Sequence, residues 1–307
     1  GTTWATKSRS SSNDLNDAQF IDNNIVVAIG DDGELLRSLD NGKTWTAPSN
    51  SGLTNNDWIN GIYFISQFEG WAADSDGDIF KSTNGGSTWS KQRTKNQSEY
   101  LFDIFFKNSI TGFAIGSNGL LLKTSDGGLN WTQINLNINN NLRKIHFIND
   151  QIGWISGTNG LMLKTIDGGL TWTSKTTNNT KEIKSFNFIN QNKGWAIAND
   201  QTGKEVLKTV DGGNNWSKAS TLLYNPNDIL FENDTVGLIV GQSGWIAKTT
   251  NGGLTWQNLR NPINNGDLNR IIKNESGVFL SVGKFNQIQR HNTNACNFQS
   301  NTQTITS

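Results

Sequence analysis

The sequence predicts an all-β protein: a seven-bladed β-propeller of four-stranded antiparallel blades, its ring closed by an N-terminal strand that pairs with the C-terminal blade. Three observations predict it. A Gly-rich turn ending in Trp recurs at Trp45, Trp89, Trp131, Trp172, Trp216 and Trp256. Counting from Trp4 through these to Phe298, the intervals are 41, 44, 42, 41, 44, 40 and 42 residues, the length of one propeller blade each. Between the turns lie short β-rich runs bounded by turn residues, with no helical period.

Each element follows from this frame. Phe20, Phe64, Phe106, Phe147 and Phe231 stand 25 residues before their turn Trp, and Phe188 stands 28 before. They mark the first, innermost strand. The second strand follows a Gly, as in Gly70-Trp71-Ala72, Gly112-Phe113-Ala114, Gly153-Trp154-Ile155 and Gly194-Trp195-Ala196. Asp32-Gly33, Asp76-Gly77, Asn118-Gly119 and Asn159-Gly160 are two-residue hairpin signals before the third strand. A basic residue then recurs eight before the turn aromatic (Arg37, Lys81, Lys123, Lys164, Lys208, Lys248 and Arg290). In register seven times, it reads as a structural stem lying along the blade.

The Trp turn itself joins the third and fourth strands. Asp40, Asp126, Asp167 and Asp211 place a short carboxylate where it accepts hydrogen bonds from the backbone N–H groups just ahead, and Asn84 and Asn251 do so with an amide. The following Gly residues supply positive φ. The Trp is expected to bury its ring and give its N–H to a nearby carbonyl. At the chain ends, Gly1 to Lys7 reads as a turn tail plus an outer strand, and residues 267 to 291 supply three inner strands. One propeller over 1–291 is expected, with 292–307 a C-terminal extension or extra outer strand. The turn there is decayed, with Thr293 at the Asp slot and Phe298 for Trp.

The turn resembles the Asp box, or bacterial neuraminidase repeat, with the pattern Ser-x-Asp-x-Gly-x-Thr-Trp. The resemblance implies that the box lies away from the functional face. The longer run from Gly153-Trp154-Ile155 through Asp167-Gly168-Gly169-Leu170-Thr171-Trp172 is similar to the photosystem II assembly and stability factor family. That resemblance implies a seven-bladed propeller that binds a partner polypeptide and has no enzymatic role.

Composition narrows the classes. The 307 residues carry 26 Lys plus Arg against 26 Asp plus Glu, which argues against a nucleic-acid groove or a membrane-surface protein. One cysteine excludes an internal disulfide framework and a cysteine-based zinc site. No apolar run approaches the roughly 18 residues a spanning helix needs. Abundant Asn, Thr and Ser with one Cys suggest a secreted, periplasmic or cell-surface bacterial protein whose signal peptide is absent from this sequence; a monomer is expected. No cofactor and no metal are expected. Asp74-Ser75-Asp76-Gly77-Asp78 departs from a calcium loop, with Gly85 where a bidentate Glu belongs. His146 and His291 are read as having no Cys or His partner near enough in sequence for a histidine metal site.

Function is expected on the channel face, where loops approach each innermost strand. Positions six before the Phe slot include Trp58, Tyr100 and Glu182; positions three and four before it include Asp17, Asp103, Arg143, Lys144, Lys184, Asp228 and Arg270. They vary from blade to blade while the scaffold repeats. A long loop near Asn50 to Trp58 is expected to stand proud, and the second turn of the fifth repeat is expanded at Asn199 to Lys204. Trp245 follows a turn Gly and either is exposed for stacking on a ligand, which places it among the candidate binding residues, or packs on a neighbouring blade. The leading reading is a non-catalytic module that binds a protein or peptide. The alternative is a carbohydrate-binding or glycoside-hydrolase-like protein, with Asp103 and Asp228 facing across the channel. No arginine-led sialidase motif supports it.

Overall fold

The computed structural model describes residues 5–7, 13–94, 99–262 and 266–292. Seven antiparallel sheets follow one another along the chain. In the fourth blade, Leu142–Phe147, Gly153–Gly157, Met162–Thr165 and Thr173–Lys175 pair in sequence order. The second strands Gly112–Gly116, Gly153–Gly157 and Gly237–Gly241 are buried at every position, and Gly194–Asp200 is buried up to Ala198. Such a sheet cannot cover both its own faces, so the blades cover each other.

Ring closure follows the expected route. Ala5–Lys7 pairs with Gln287–Asn292, Ala5 opposite Arg290 and Lys7 opposite Ile288. The last blade therefore takes its outer strand from the start of the chain. Trp4, Thr293 and Phe298 lie outside the described residues, as does nearly all of the expected extension at 292–307.

The first blade departs from four strands. Its sheet holds Leu15–Phe20, Val26–Gly30 and Leu35–Ser38, and its outer strand is reduced to a bridge between Arg37 and Thr46. Pro48 follows two residues later and has no N–H for a ladder. The chain from there is tied down rather than standing proud. Ser51 O accepts the Trp89 N–H at 2.6 Å, and Asp57 O accepts the Gly33 N–H at 2.7 Å; Thr54 to Asn56 stay exposed.

The Asp boxes form as their residues dictate. Asp167 accepts from Thr165 Oγ1 at 2.8 Å, Thr171 N at 2.9 Å and Thr171 Oγ1 at 2.5 Å. The Asn130 backbone and side chain bring Asp126 down to about 2. Gly168 and Gly169 have φ of 76° and 85°. A Cβ on Gly169 would also come within 2.5 Å of the Phe113 ring in the preceding blade. The box is thus both a turn and a seat for its neighbour.

That neighbour contact repeats. Trp71, Trp154 and Trp195, in second strands, stack on Phe106, Phe188 and Phe231 of the next blade at 3.6, 3.6 and 3.8 Å between ring centroids. Their Nε1 atoms donate to Gly127, Gly212 and Gly252 O in the next box at 3.0, 3.0 and 2.9 Å. The basic stems lie over these rings, Lys81 at 4.8 Å from Trp71 and Lys208 at 5.1 Å from Trp195. The box Trp residues are less uniform than expected. Trp45, Trp131 and Trp256 donate at 3.1, 3.1 and 3.2 Å, whereas Trp89, Trp172 and Trp216 find no acceptor among the described residues.

Candidate functional site

Two concentric rings of side chains close the channel, one residue apart on each innermost strand. The inner ring is Asp17, Gly61, Asp103, Lys144, Ser185, Asp228 and Arg270, the position three before each Phe slot. Asp17 Oδ2 accepts the Ile62 N–H at 2.9 Å, Asp103 Oδ2 the Ile145 N–H at 2.9 Å, and Asp228 Oδ2 the Ile271 N–H at 3.0 Å. Each bond ties a blade to the next. Arg270 Nε lies 2.9 Å from Asp17, joining the last blade to the first. Lys144 Nζ reaches Asp228 at 3.1 Å and Ser185 Oγ at 2.8 Å, and Ser185 also donates to Asp228.

The electrostatics follow from this wiring. Burial works against charge on Asp228, yet Lys144 and Arg270 hold it below the usual carboxylate range. Burial raises Asp17, Arg270 only partly opposing it. Burial likewise pushes Asp103 up to about 6, against the pull of Arg270. His146 packs edge-on to Phe105 at 5.6 Å, and burial beside Lys144 lowers it to about 4.

The outer ring, four before the Phe slot, divides into four adjacent blades and three. Asn16, Asn60, Asn227 and Asn269 each donate to the main chain of the next blade: to Ile59 O at 3.1 Å, Leu101 O at 2.8 Å, Leu268 O at 3.0 Å and Leu15 O at 2.9 Å. In the third, fourth and fifth blades the position holds Phe102, Arg143 and Lys184. These reach side chains instead. Arg143 lies 4.7 Å over the Phe102 ring and pairs with Glu182; Lys184 meets Asn227 Oδ1 at 3.1 Å. The mouth they edge has a volume of about 480 Å³ and narrows to about 120 Å³ at the inner ring.

The structure therefore gathers Asp103, Arg143, Lys144, Lys184, Asp228 and Arg270 around one channel. Trp58 and Tyr100 stand at its periphery, each 51% exposed, with Trp58 Nε1 donating to Asp32 Oδ1 at 3.1 Å. Trp245 is a correction. It is 1% exposed, packs against Tyr224 at 5.5 Å and donates to Asn258 Oδ1 at 2.9 Å. At the start of its third strand it enters the cluster between the fifth and sixth blades, with Leu222 and Trp195, and presents no stacking face. Phe102 and the four Asn braces were missed; the column four before the Phe slot carried the signal, Asn in four blades and three exceptions side by side.

A closed ring of seven sheets with Asp boxes at their third-to-fourth strand turns, and with its variable side chains on the channel face, defines an Asp-box propeller. The profile of the photosynthesis system II assembly factor YCF48 family matches residues 54–125 and 124–284, and the chain belongs to that family. No curated protein matches the sequence. A structure of YCF48 bound to D1 peptide is similar with a TM-score of 0.78 at 18% identity, covering 94% of this chain and 97% of that one. YCF48 from Cyanidioschyzon merolae gives 0.75 at 17% identity, covering 95% and 99%. A GH74 enzyme of Niastella koreensis gives 0.69 at 15% identity, covering 94% of this chain and 53% of that one.

Proposed function

We propose that this chain is a non-catalytic binding propeller that recognises a peptide segment of a protein partner at its channel mouth. The observation that carries the reading is the break in the outer ring. Four blades use an Asn brace; the three consecutive blades without it present an aromatic and two cations to the mouth cavity. Cations beside an aromatic suit a peptide with acidic and apolar side chains. The family relationship supports the same class, since a YCF48 structure is described with a D1 peptide bound.

A hydrolase reading is disfavoured by the carboxylates themselves. Asp103 accepts two backbone N–H groups, from Ile104 and Ile145, and Asp228 is engaged by Lys144, Ser185 and Ile271. Both brace the ring. The test is binding of a D1 peptide and of an acidic peptide panel to the protein and to Arg143→Glu/Lys184→Glu. The double variant should bind at least about tenfold more weakly, the worth of at least one charge-assisted contact, measured at a temperature where circular dichroism shows both proteins folded. Equal binding by the two proteins removes the mouth from the reading.

A further inference from the structure

The residues six before the Phe slot mostly brace the rim of the channel face. Asp14 Oδ1 accepts the Phe285 N–H at 3.2 Å, Trp58 Nε1 donates to Asp32 Oδ1 at 3.1 Å, Asn141 Oδ1 accepts the Asn118 N–H at 3.1 Å, and Asp267 Oδ1 accepts the Ser243 N–H at 2.9 Å. Each reaches the turn between the second and third strands of the preceding blade. Asn225 bonds instead to the turn of its own blade, at Gln242.

Glu182 breaks the pattern. It holds this position in the fifth blade, and its carboxylate turns to Arg143 on the innermost strand of the fourth. Of the seven residues in the column, Glu182 alone lines the mouth cavity. The sheet accounts for the change of direction. The first two strands of the fifth blade, Glu182–Phe188 and Gly194–Asp200, have seven residues each, against six and five in the fourth. The extra length carries the ladder one pair further, to Glu182 opposite Asn199. Glu182 is thereby held in the strand beside the mouth, whereas in the other blades the same position precedes the strand.

The pair makes the two mouth cations unlike. Arg143 has Glu182 on its Nε and the Phe102 ring 4.7 Å from its guanidinium carbon. Lys184 meets the amide oxygen of Asn227 at 3.1 Å and no carboxylate at ion-pair distance among the described residues. Glu182 still helps to keep Lys184 charged, against the effect of burial. The Arg143 and Glu182 side chains are 31% and 22% exposed. An ion pair that open to water contributes little to stability, so a second carboxylate can exchange for the first. The guanidinium fork fits either one.

We infer, on the reading of the mouth as a peptide site, that Glu182 is a built-in competitor for the ligand: its carboxylate caps Arg143 in the free protein and gives way to an acidic side chain of the bound peptide. Lys184, with no carboxylate to displace, makes the first contact. Arg143 makes the second once Glu182 has left. The cap also makes the mouth selective. An uncharged segment has nothing to offer Arg143 in place of Glu182, so it leaves the cap closed.

The test is a peptide titration followed by ¹H–¹⁵N NMR of the whole chain. The probe is acetyl-Phe-Glu-Phe-Glu-amide, with its Gln counterpart as control. Glu182→Gln keeps an acceptor for Arg143 and removes the charge; Glu182→Ala removes both. Each should bind the Glu peptide at least about fivefold more tightly than the wild type, and the Gln peptide no more tightly. In an Arg143→Gln background, Glu182→Gln should gain less than about twofold, since no cation is left to uncap. No gain in either Glu182 variant would overturn the inference and make Glu182 a positioning residue for Arg143. An equal gain for the Gln peptide, or a full gain in the Arg143→Gln background, would overturn it too. If the wild type binds the Glu peptide, Arg143→Glu/Lys184→Glu loses it and the Glu182 variants gain nothing, the proposed function stands and the cap falls. If neither the wild type nor any Glu182 variant binds, both fall.

Discussion

Asp103 shows how position decides the behaviour of a residue type. The box carboxylates sit in exposed turns, where hydrogen bonds hold Asp126 and Asp211 at about 2. Asp103 accepts backbone hydrogen bonds too, but burial in the channel pushes it up to about 6 from an ordinary 3.8. The folded protein therefore keeps a proton that the unfolded chain releases. The resulting stabilisation is complete below about pH 4 and is lost as pH rises through about 6. Allowing for water in the channel, it amounts to about 2 kcal/mol. Urea unfolding should show the wild type gaining that much relative to Asp103→Asn between pH 7 and pH 4; parallel pH curves would refute the assignment. His146 titrates in the opposite sense over an overlapping window, since its lowered value costs stability as pH falls through about 4, so the comparison with Asp103→Asn, not the wild-type curve alone, carries the test.

At the level of the element, the repeated unit is a junction between blades more than a blade. The box Trp was legible as a landmark because it recurs at nearly constant spacing. The second-strand Trp makes the tighter contact. Trp154 stacks on Phe188 at 3.6 Å and donates to Gly212 O, two contacts made in the next blade. Spacing along one repeat does not reveal a partner about one repeat away. Trp154→Ala should therefore cost about 3–5 kcal/mol, measured by chemical denaturation. A loss below about 1 kcal/mol would mean that the stack carries little of the junction.

For the whole molecule, stability depends on closure. The last blade borrows its outer strand from residues 5–7, Arg270 reaches Asp17, and Asn269 braces Leu15 O. These contacts span the full length of the chain, so they cost loop-closure entropy before they stabilise. Deleting residues 1–7 should lower Tm by more than about 5 °C in a thermal melt while leaving the sheet signature in circular dichroism. An unchanged Tm would mean that the side-chain rings alone hold the ends together.

The sequence by itself determined the number of blades, the four-strand order, the box turns and the strand exchange at the closure. All of these are local patterns repeated at a readable period. It also placed Asp103, Arg143, Lys144, Lys184, Asp228 and Arg270 on one face, because their offset from the Phe slot is constant. The tertiary structure decided which of these residues brace the ring and which edge the mouth cavity. Arg270 and Asp228 lie in the same offset column, yet one closes the ring and the other gathers three partners, and column position does not encode that. It decided that Trp245 is buried, since the space it fills is made by Leu222 and Tyr224 of another blade. Burial of this kind belongs to the packing of several segments together, and no single stretch of the chain carries it.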